Sequence, residues 1–233
     1  MTDPWSERAA LYVESDAHRE GEDLDQLVAW AAGARTALDV ATGGGHVARR
    51  LREEGIEVVT TDRAPGMKPD VICPAEELPF ADASFDVVAC RTAAHHFADV
   101  PAAVRQIHRI LRPGGSLLLQ DILGHDDADA NAFILEVEKR RDPSHVRSYR
   151  ATEWKAFLRA AGLTVMEDSV IWKLREWNEW TGRMRMTAEA RRALEDFVRR
   201  APERCRVAFQ FRLTPDAIVS FNDRQVLIRA DRD

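Results

Sequence analysis

Lysine is almost missing from this chain: 4 residues, against 29 arginines. Cysteine is scarce as well. Cys73, Cys90 and Cys205 stand at no paired spacing, which excludes a secreted disulfide framework and a C-x-x-C zinc or redox site. No apolar run approaches the ~20 residues that span a bilayer, so no membrane partner is expected. Met1 to Ala10 lacks the basic-then-apolar pattern of a leader, which places the expectation in the cytoplasm. Basic excess is also lacking. With 33 basic and 39 acidic residues the net charge is −6, which weighs against a nucleic-acid partner. There is no internal repeat, low-complexity tract or linker. What is present is a chain of 233 residues, 45% hydrophobic, expected to form one domain that buries about 70% of its unfolded surface without a staple.

The first half alternates β-like and helical patterns. Strands are expected at Thr36 to Ala41, Ile56 to Thr61, Ser84 to Cys90 and Ser116 to Ile122, and helices at Leu24 to Ala34, His46 to Glu54 and Val100 to Leu111. Such alternation with short connections predicts a parallel sheet covered by helices on both faces. In the second half, Asp129 to Arg141, Thr152 to Ala161 and Thr187 to Ala201 read as helices, with Thr187 as an N-cap. Leu163 to Trp172, Arg206 to Leu213 and Ala217 to Ile228 read as strands, the last two around a Thr-Pro-Asp turn, and would close the sheet antiparallel.

The most informative segment is Leu38-Asp39-Val40-Ala41-Thr42-Gly43-Gly44-Gly45-His46. It is an apolar strand, a glycine turn and a helix start. Glycines let the backbone adopt positive φ and let a ligand approach. The helix start offers unpaired N–H groups to a polar ligand. Asp62 ends the next strand, 19 residues past Gly43, where a carboxylate can accept hydrogen bonds from both ribose hydroxyls of an adenosine. A dinucleotide fingerprint would need a third glycine where His46 stands. The frame Ala41-x-Gly43-x-Gly45, with Asp39 two residues ahead, fits a GxGxG-type turn better.

These segments, with Thr60-Thr61-Asp62, AEELPF (Ala75 to Phe80), FDVVACRTAAHHFADV (Phe85 to Val100) and LRPGGSLLLQD (Leu111 to Asp121), resemble class I S-adenosylmethionine-dependent methyltransferases. The resemblance covers about residues 25–125 and is closest to the small-molecule branch that includes ubiquinone and menaquinone C-methyltransferases. It implies a Rossmann-like, mostly parallel seven-stranded sheet with its last strand antiparallel, S-adenosyl-L-methionine as cofactor, and specific positions for it. Asp39 would lie near the methionine amino group, with Ala41, Gly43 and Gly45 beneath the methionine and ribose. Asp62 would hold the ribose. Arg63 and Met67 would flank the adenine, Ala75 and Glu76 would meet its edge, and Arg91 would lie beside the methionine moiety.

One departure stands out. Relatives carry a helix after the acid that ends the second strand, whereas Arg63 to Asp70 contains Pro65, Pro69 and Gly66 and cannot form one. That helix is expected to be lost, with Met67 packed on the adenine and a neighbouring element or a second subunit covering the gap. A homodimer is one expected arrangement.

Methyl transfer is an in-line displacement, so the protein mainly aligns the reactants and excludes water. A base is needed only where the acceptor must lose a proton. His95 and His96 follow the fourth strand, at the carboxyl-end crevice of such a sheet. His96 is taken as the base, with His95 facing the substrate and Asp121, after the fifth strand, as a second base or orienting group. No metal is expected. The acceptor would be a small, aromatic or heterocyclic metabolite, from specialised metabolism. Trp5 and Tyr12 could form a flap over it, and His145, Arg147, Tyr149 and Trp172 could contact it. Residues 1–233 would form one methyltransferase domain: a core at about 25–125, a cap from about 1–24 and 122–185, and a closing helix and antiparallel strands at 186–233. The alternative is an S-adenosylmethionine-binding enzyme that does not methylate, such as a cyclase or decarboxylase. An oxidoreductase is disfavoured by His46, and an RNA or protein methyltransferase by the acidic charge.

Overall fold

The computed structural model describes Trp5, Ser6, Ala9 and residues 19–233. Tyr12 lies outside the described residues. Two compact units share the chain. The first holds residues up to Asp121 together with Trp154–Ser169 and Leu227–Asp233, and the second holds Ile122–Glu153 and Val170–Val226.

The described elements, numbered from the first complete helix, are α1 (Glu22–Trp30), β1 (Thr36–Val40), α2 (His46–Glu53), β2 (Glu57–Asp62), β3 (Val71–Ile72), β4 (Phe85–Arg91), α3 (Val100–Ile110), β5 (Leu111–Ile122), α4 (Ala128–Arg141), α5 (Ala151–Ala160), β6 (Leu163–Glu176), α6 (Trp177–Gly182), α7 (Ala188–Arg200), α8 (Glu203–Ala208), β7 (Arg212–Leu213) and β8 (Ile218–Arg232). The sheet runs β3-β2-β1-β4-β5-β8-β6, and the two-residue β7 pairs with β8 off that path. The expected seven strands are therefore the path, and β7 is an eighth. β1 pairs parallel with β2 and β4, β2 with β3, and β4 with β5. β7 runs antiparallel to β8. Continuous apolar runs form the central strands because helices cover both faces of a parallel sheet. On one face Leu24, Leu27 and Val28 of α1 and Val47, Ala48 and Leu51 of α2 pack against Ala37, Val58, Val87 and Leu118.

Short side chains start three helices as their types require. Asp99 accepts from Ala102 N in α3, Asp127 from Ala130 N in α4, and Thr187 from Ala190 N in α7. No α-helix follows β2. A single 3₁₀ turn, Pro65–Met67, takes its place. Asp70 closes the shortened link by accepting from Thr60 N at 2.9 Å and Thr60 Oγ1 at 2.8 Å. Gly66 donates to Ser6 Oγ at 2.8 Å. A Cβ on Gly66 would stand 2.5 Å from Ser6 Cα, so a side chain there would displace Ser6.

The second unit has its own aromatic core. Trp177, Trp180, Phe133, Phe209 and Phe221 are buried together with Leu194 and Val198. The strand expected at Arg206 to Leu213 is absent. Glu203–Ala208 is helical and only Arg212–Leu213 pairs. Pro202 at the helix start favours this outcome, because its missing N–H costs a helix nothing there.

Candidate active site

The carboxyl ends of β1, β2, β4 and β5 in the first unit gather most of the polar residues that the sequence singles out. Parallel strands leave their ligand crevice at this end. Asp39 is 2% exposed. Its Oδ2 accepts from Thr42 Oγ1 at 2.5 Å and from Ala48 N at 3.2 Å. Burial raises its carboxyl to about pKa 6, against the lowering effect of those two bonds and of the Arg91 charge. A cation placed beside it would find an unspent electrostatic demand.

The turn after β1 has three residues at positive φ: Ala41 at 53°, Gly43 at 53° and Gly45 at 73°. Ala41 holds this conformation at a steric cost that glycine escapes. A Cβ on Gly43 or Gly45 would meet nothing within 4 Å, so the turn faces open space where a ligand can sit against the backbone. Asp62 anchors the far side. Its Oδ2 accepts from Gly43 N at 3.0 Å and its Oδ1 from Ala64 N at 2.9 Å.

The remaining cofactor candidates divide. Ala75 is buried, Met67 sits half-buried in the 3₁₀ turn, and Arg63 is exposed. The Glu76 carboxylate accepts from Ala98 N at 2.9 Å and Asp99 N at 3.1 Å, so its side chain serves the start of α3. Arg91 forks between Asp23 Oδ2 at 2.7 Å and Gln120 Oε1 at 2.7 Å, and ties the start of α1 to the ends of β4 and β5. Thr42, Asp23 and Gln120 are partners that sequence reasoning missed. Thr42 lies inside the glycine turn and was within reach of a local reading, whereas Asp23 is 68 residues from Arg91 and carries no local signal.

His95 and His96 lie in a 3₁₀ turn, Ala94–His96, directly after β4. Their surroundings differ. His95 is 5% exposed and Asp121 1%, and His95 Nδ1 stands 2.5 Å from Asp121 Oδ1. His96 is half-buried and meets the edge of Trp5, with ring centroids 4.6 Å apart. The predicted orienting carboxylate thus belongs to His95, while His96 meets the residue expected to act as a flap. Cys90 is fully buried nearby, and burial, with the charges of Asp121 and Asp39, holds its thiol well above the usual range. It is therefore no nucleophile.

The other substrate candidates belong to the second unit. His145 Nε2 lies 3.0 Å from Ser148 Oγ, with both residues buried. Arg147 pairs with Glu153 and stacks over Tyr149 at 4.8 Å. Tyr149 bridges to Leu123 in strand-like pairing. Trp172 is half-exposed, with Arg224 over its ring at 5.7 Å. Trp177 and Trp180 are consumed by the aromatic core.

Comparison with known proteins gives the family. The family model described as "Methyltransferase domain" matches residues 12–168. The "Uncharacterized methyltransferase YcgJ" of Bacillus subtilis (strain 168) is 30% identical, with 97% of this chain and 96% of that protein covered. A methyltransferase candidate from Bacillus halodurans C-125, known from its crystal structure, superposes with a TM-score of 0.86 at 33% identity, covering 91% of this chain and 99% of that one. Phosphoethanolamine N-methyltransferase 2 of Haemonchus contortus was crystallised with phosphomonomethylethanolamine and S-adenosylhomocysteine. It has a TM-score of 0.62 at 16% identity, covering 96% of this chain and 56% of that one, and so shows likeness of fold.

Proposed function

The chain belongs to the S-adenosylmethionine-dependent methyltransferases, and from that membership we propose that it methylates a small molecule at the carboxyl-end crevice of its first unit. The observation that carries this reading is the pair of carboxylates flanking an open glycine turn. Asp39 is buried, its carboxyl raised to about pKa 6 by that burial, and held by Thr42 and Ala48 N. Asp62 is fixed by Gly43 N and Ala64 N. These donor sets fit an α-ammonium group and a ribose diol. Bound there, S-adenosylmethionine supplies an electrophilic methyl on a sulfonium. Asp39 would orient the methionine end, Asp62 the ribose, and Met67 would supply an apolar wall for the adenine. Trp5, on His96, would help keep water out.

A small acceptor is supported by the net charge of −6 and by the engagement of many arginines within the fold. Calorimetry with S-adenosylmethionine and S-adenosylhomocysteine tests the reading. Both are expected to bind, and Asp62→Ala should weaken binding by about 1–3 kcal/mol through lost hydrogen bonds. Folded protein that takes up neither at millimolar concentration would overturn it.

A further inference from the structure

We propose that β6 is the contact strand of a homodimer, in which a second copy of this chain pairs with it antiparallel about a two-fold axis at Val170. The contact uses none of the residues assigned to the cofactor, and it stands whether or not the methyl-transfer reading does. It gives Trp172 a place at an interface rather than at the substrate.

The strand order has two ends, β3 and β6. β3 is two residues long, too short to attract another chain. β6 has 14 residues, Leu163–Glu176, and β8 is its one strand neighbour in that order. Its outer edge therefore carries backbone N–H and C=O groups with no strand beside them among the described residues. Such an edge is a template for pairing unless something blunts it. Neither proline nor glycine interrupts β6. Even-numbered residues share one face of a strand, and all of those from Thr164 to Glu176 are exposed. Four of them are large and apolar. Met166, Val170, Trp172 and Leu174 are between 43% and 56% exposed, so the fold itself leaves this stripe half uncovered.

The occupant follows from charge and symmetry. Acids precede Val170, as Glu167 and Asp168, and bases follow it, as Lys173 and Arg175. A two-fold contact must be self-complementary, and an antiparallel copy of this strand is. With Val170 opposite itself, Met166 lies beside Leu174 of the copy and Glu167 beside Lys173 of the copy, each pair formed twice. Directly opposed side chains stand close enough to contribute, and Trp172 is diagonal to Val170 of the copy, within reach of an aromatic ring. Asp168 keeps Lys155 at 2.8 Å. Glu167 lies 3.9 Å from Arg229, a weak exposed contact that leaves it able to turn to a lysine. Other registers are worse. An axis at Asp168 sets that carboxylate against itself, and one at Trp172 sets Asp168 against Glu176. An axis at Ser169 leaves Glu167 facing Ile171. An axis at Ile171 offers Glu167 only Arg175, which Asp223 already holds at 2.8 Å.

Sedimentation equilibrium of the full chain tests the proposal. The expected mass is that of two chains. Val170→Lys places like charges on the axis and should return the mass of one chain, with the far-ultraviolet circular dichroism kept because Val170 is exposed. Glu167→Lys should raise the dissociation constant about tenfold, since two lysine pairs replace two ion pairs. The register is read by cross-linking with diamide. Val170→Cys should form a disulfide-linked dimer faster than Ile171→Cys and faster than the unchanged chain, because identical residues on the axis oppose each other directly. This cysteine variant keeps the contact, so the test survives a Val170→Lys protein that does not fold. A chain that stays monomeric at submillimolar concentration would overturn the proposal, as would an assembly whose mass Val170→Lys leaves unchanged. Cross-linking as fast from Ile171→Cys as from Val170→Cys would overturn the register.

Discussion

In the proposed site, Asp39 would couple cofactor binding to pH. Its carboxyl titrates near 3.8 unfolded and near 6 in the folded chain. Between those values the folded state binds more protons than the unfolded one. This group's contribution to stability therefore falls as pH rises through the window, by on the order of 3 kcal/mol once both are crossed. A bound ammonium would stabilise the ionised form and offset that cost. Affinity for S-adenosylmethionine should consequently fall about tenfold per pH unit below pH 6, and Asp39→Asn should flatten the slope. Calorimetry across pH 5–8 checks both, and an unchanged slope in the variant would remove Asp39 from the ammonium site. At this scale the sequence was informative wherever partners are close in the chain. The spacing that marked Asp62 as a partner of the glycine turn is accompanied by a direct bond from Gly43 N across 19 residues. The surroundings of the two adjacent histidines left no local mark. The pairing of His95 with Asp121 spans 26 residues, and the two rings lie on a 3₁₀ turn whose residues advance about 120° each rather than 100°.

At the scale of elements, the amino end of the sheet is clasped by Asp86. Its carboxylate accepts from Arg35 N at 3.0 Å, Thr36 N at 2.9 Å and Thr36 Oγ1 at 3.1 Å, and from Arg112 at 2.5 Å. Burial alone would raise its pKa, but Arg112 and these donors together lower it to about 2. The clasp joins the start of β1 to β4 and to the Arg-Pro-Gly-Gly entry of β5. The side chain is about a quarter exposed, so the shift is discounted for solvent screening. Asp86→Ala should destabilise the fold by about 1–2 kcal/mol at neutral pH. Because the folded pKa is depressed, the contribution is complete above 3.8 and disappears as pH falls through about 2. Urea titrations of both proteins at pH 6 and pH 3 should show the gap narrowing at the lower pH. A constant gap would mean that Asp86 acts through packing. Strands and caps in this half were legible because burial on both faces and short capping side chains leave local marks. Residues 206–213 were not. Val207, Phe209, Phe211 and Leu213 alternate as a strand would, yet Val207 is 64% exposed while Phe209 is buried among the aromatics of the second unit. Tertiary packing and Pro202 overrode the two-residue period.

Across the whole molecule, the lack of lysine becomes a statement about how the chain is tied together. Arg109 reaches the carbonyls of Leu78 and Phe80 at 2.8 and 2.6 Å, and also meets Asp82 and Gln106. Arg232 Nη1 meets the carbonyls of His108, Arg109 and Leu111. In the second unit Arg206 Nη1 bonds the carbonyls of Arg199 and Ala201 at 2.6 and 2.7 Å, next to the end of α7. A planar guanidinium presents several donors at fixed angles and is weakly hydrated, so it can bind two or three backbone oxygens at once. An ammonium on a flexible stem cannot match that geometry. Other arginines pair along helix faces at i,i+4, as Arg183 with Glu179 and Arg191 with Glu195 do. Charge-preserving substitutions separate the two uses. Arg109→Lys should lower stability by about 1–2 kcal/mol, because its Nη1 and Nη2 serve the Phe80 and Leu78 carbonyls separately and one of them loses its partner. Arg200→Lys should leave the urea midpoint unchanged, since that side chain is 83% exposed and lies 3.8 Å from Asp196. Equal midpoints for both variants would show that charge alone, and not the fork, accounts for the contribution of Arg109.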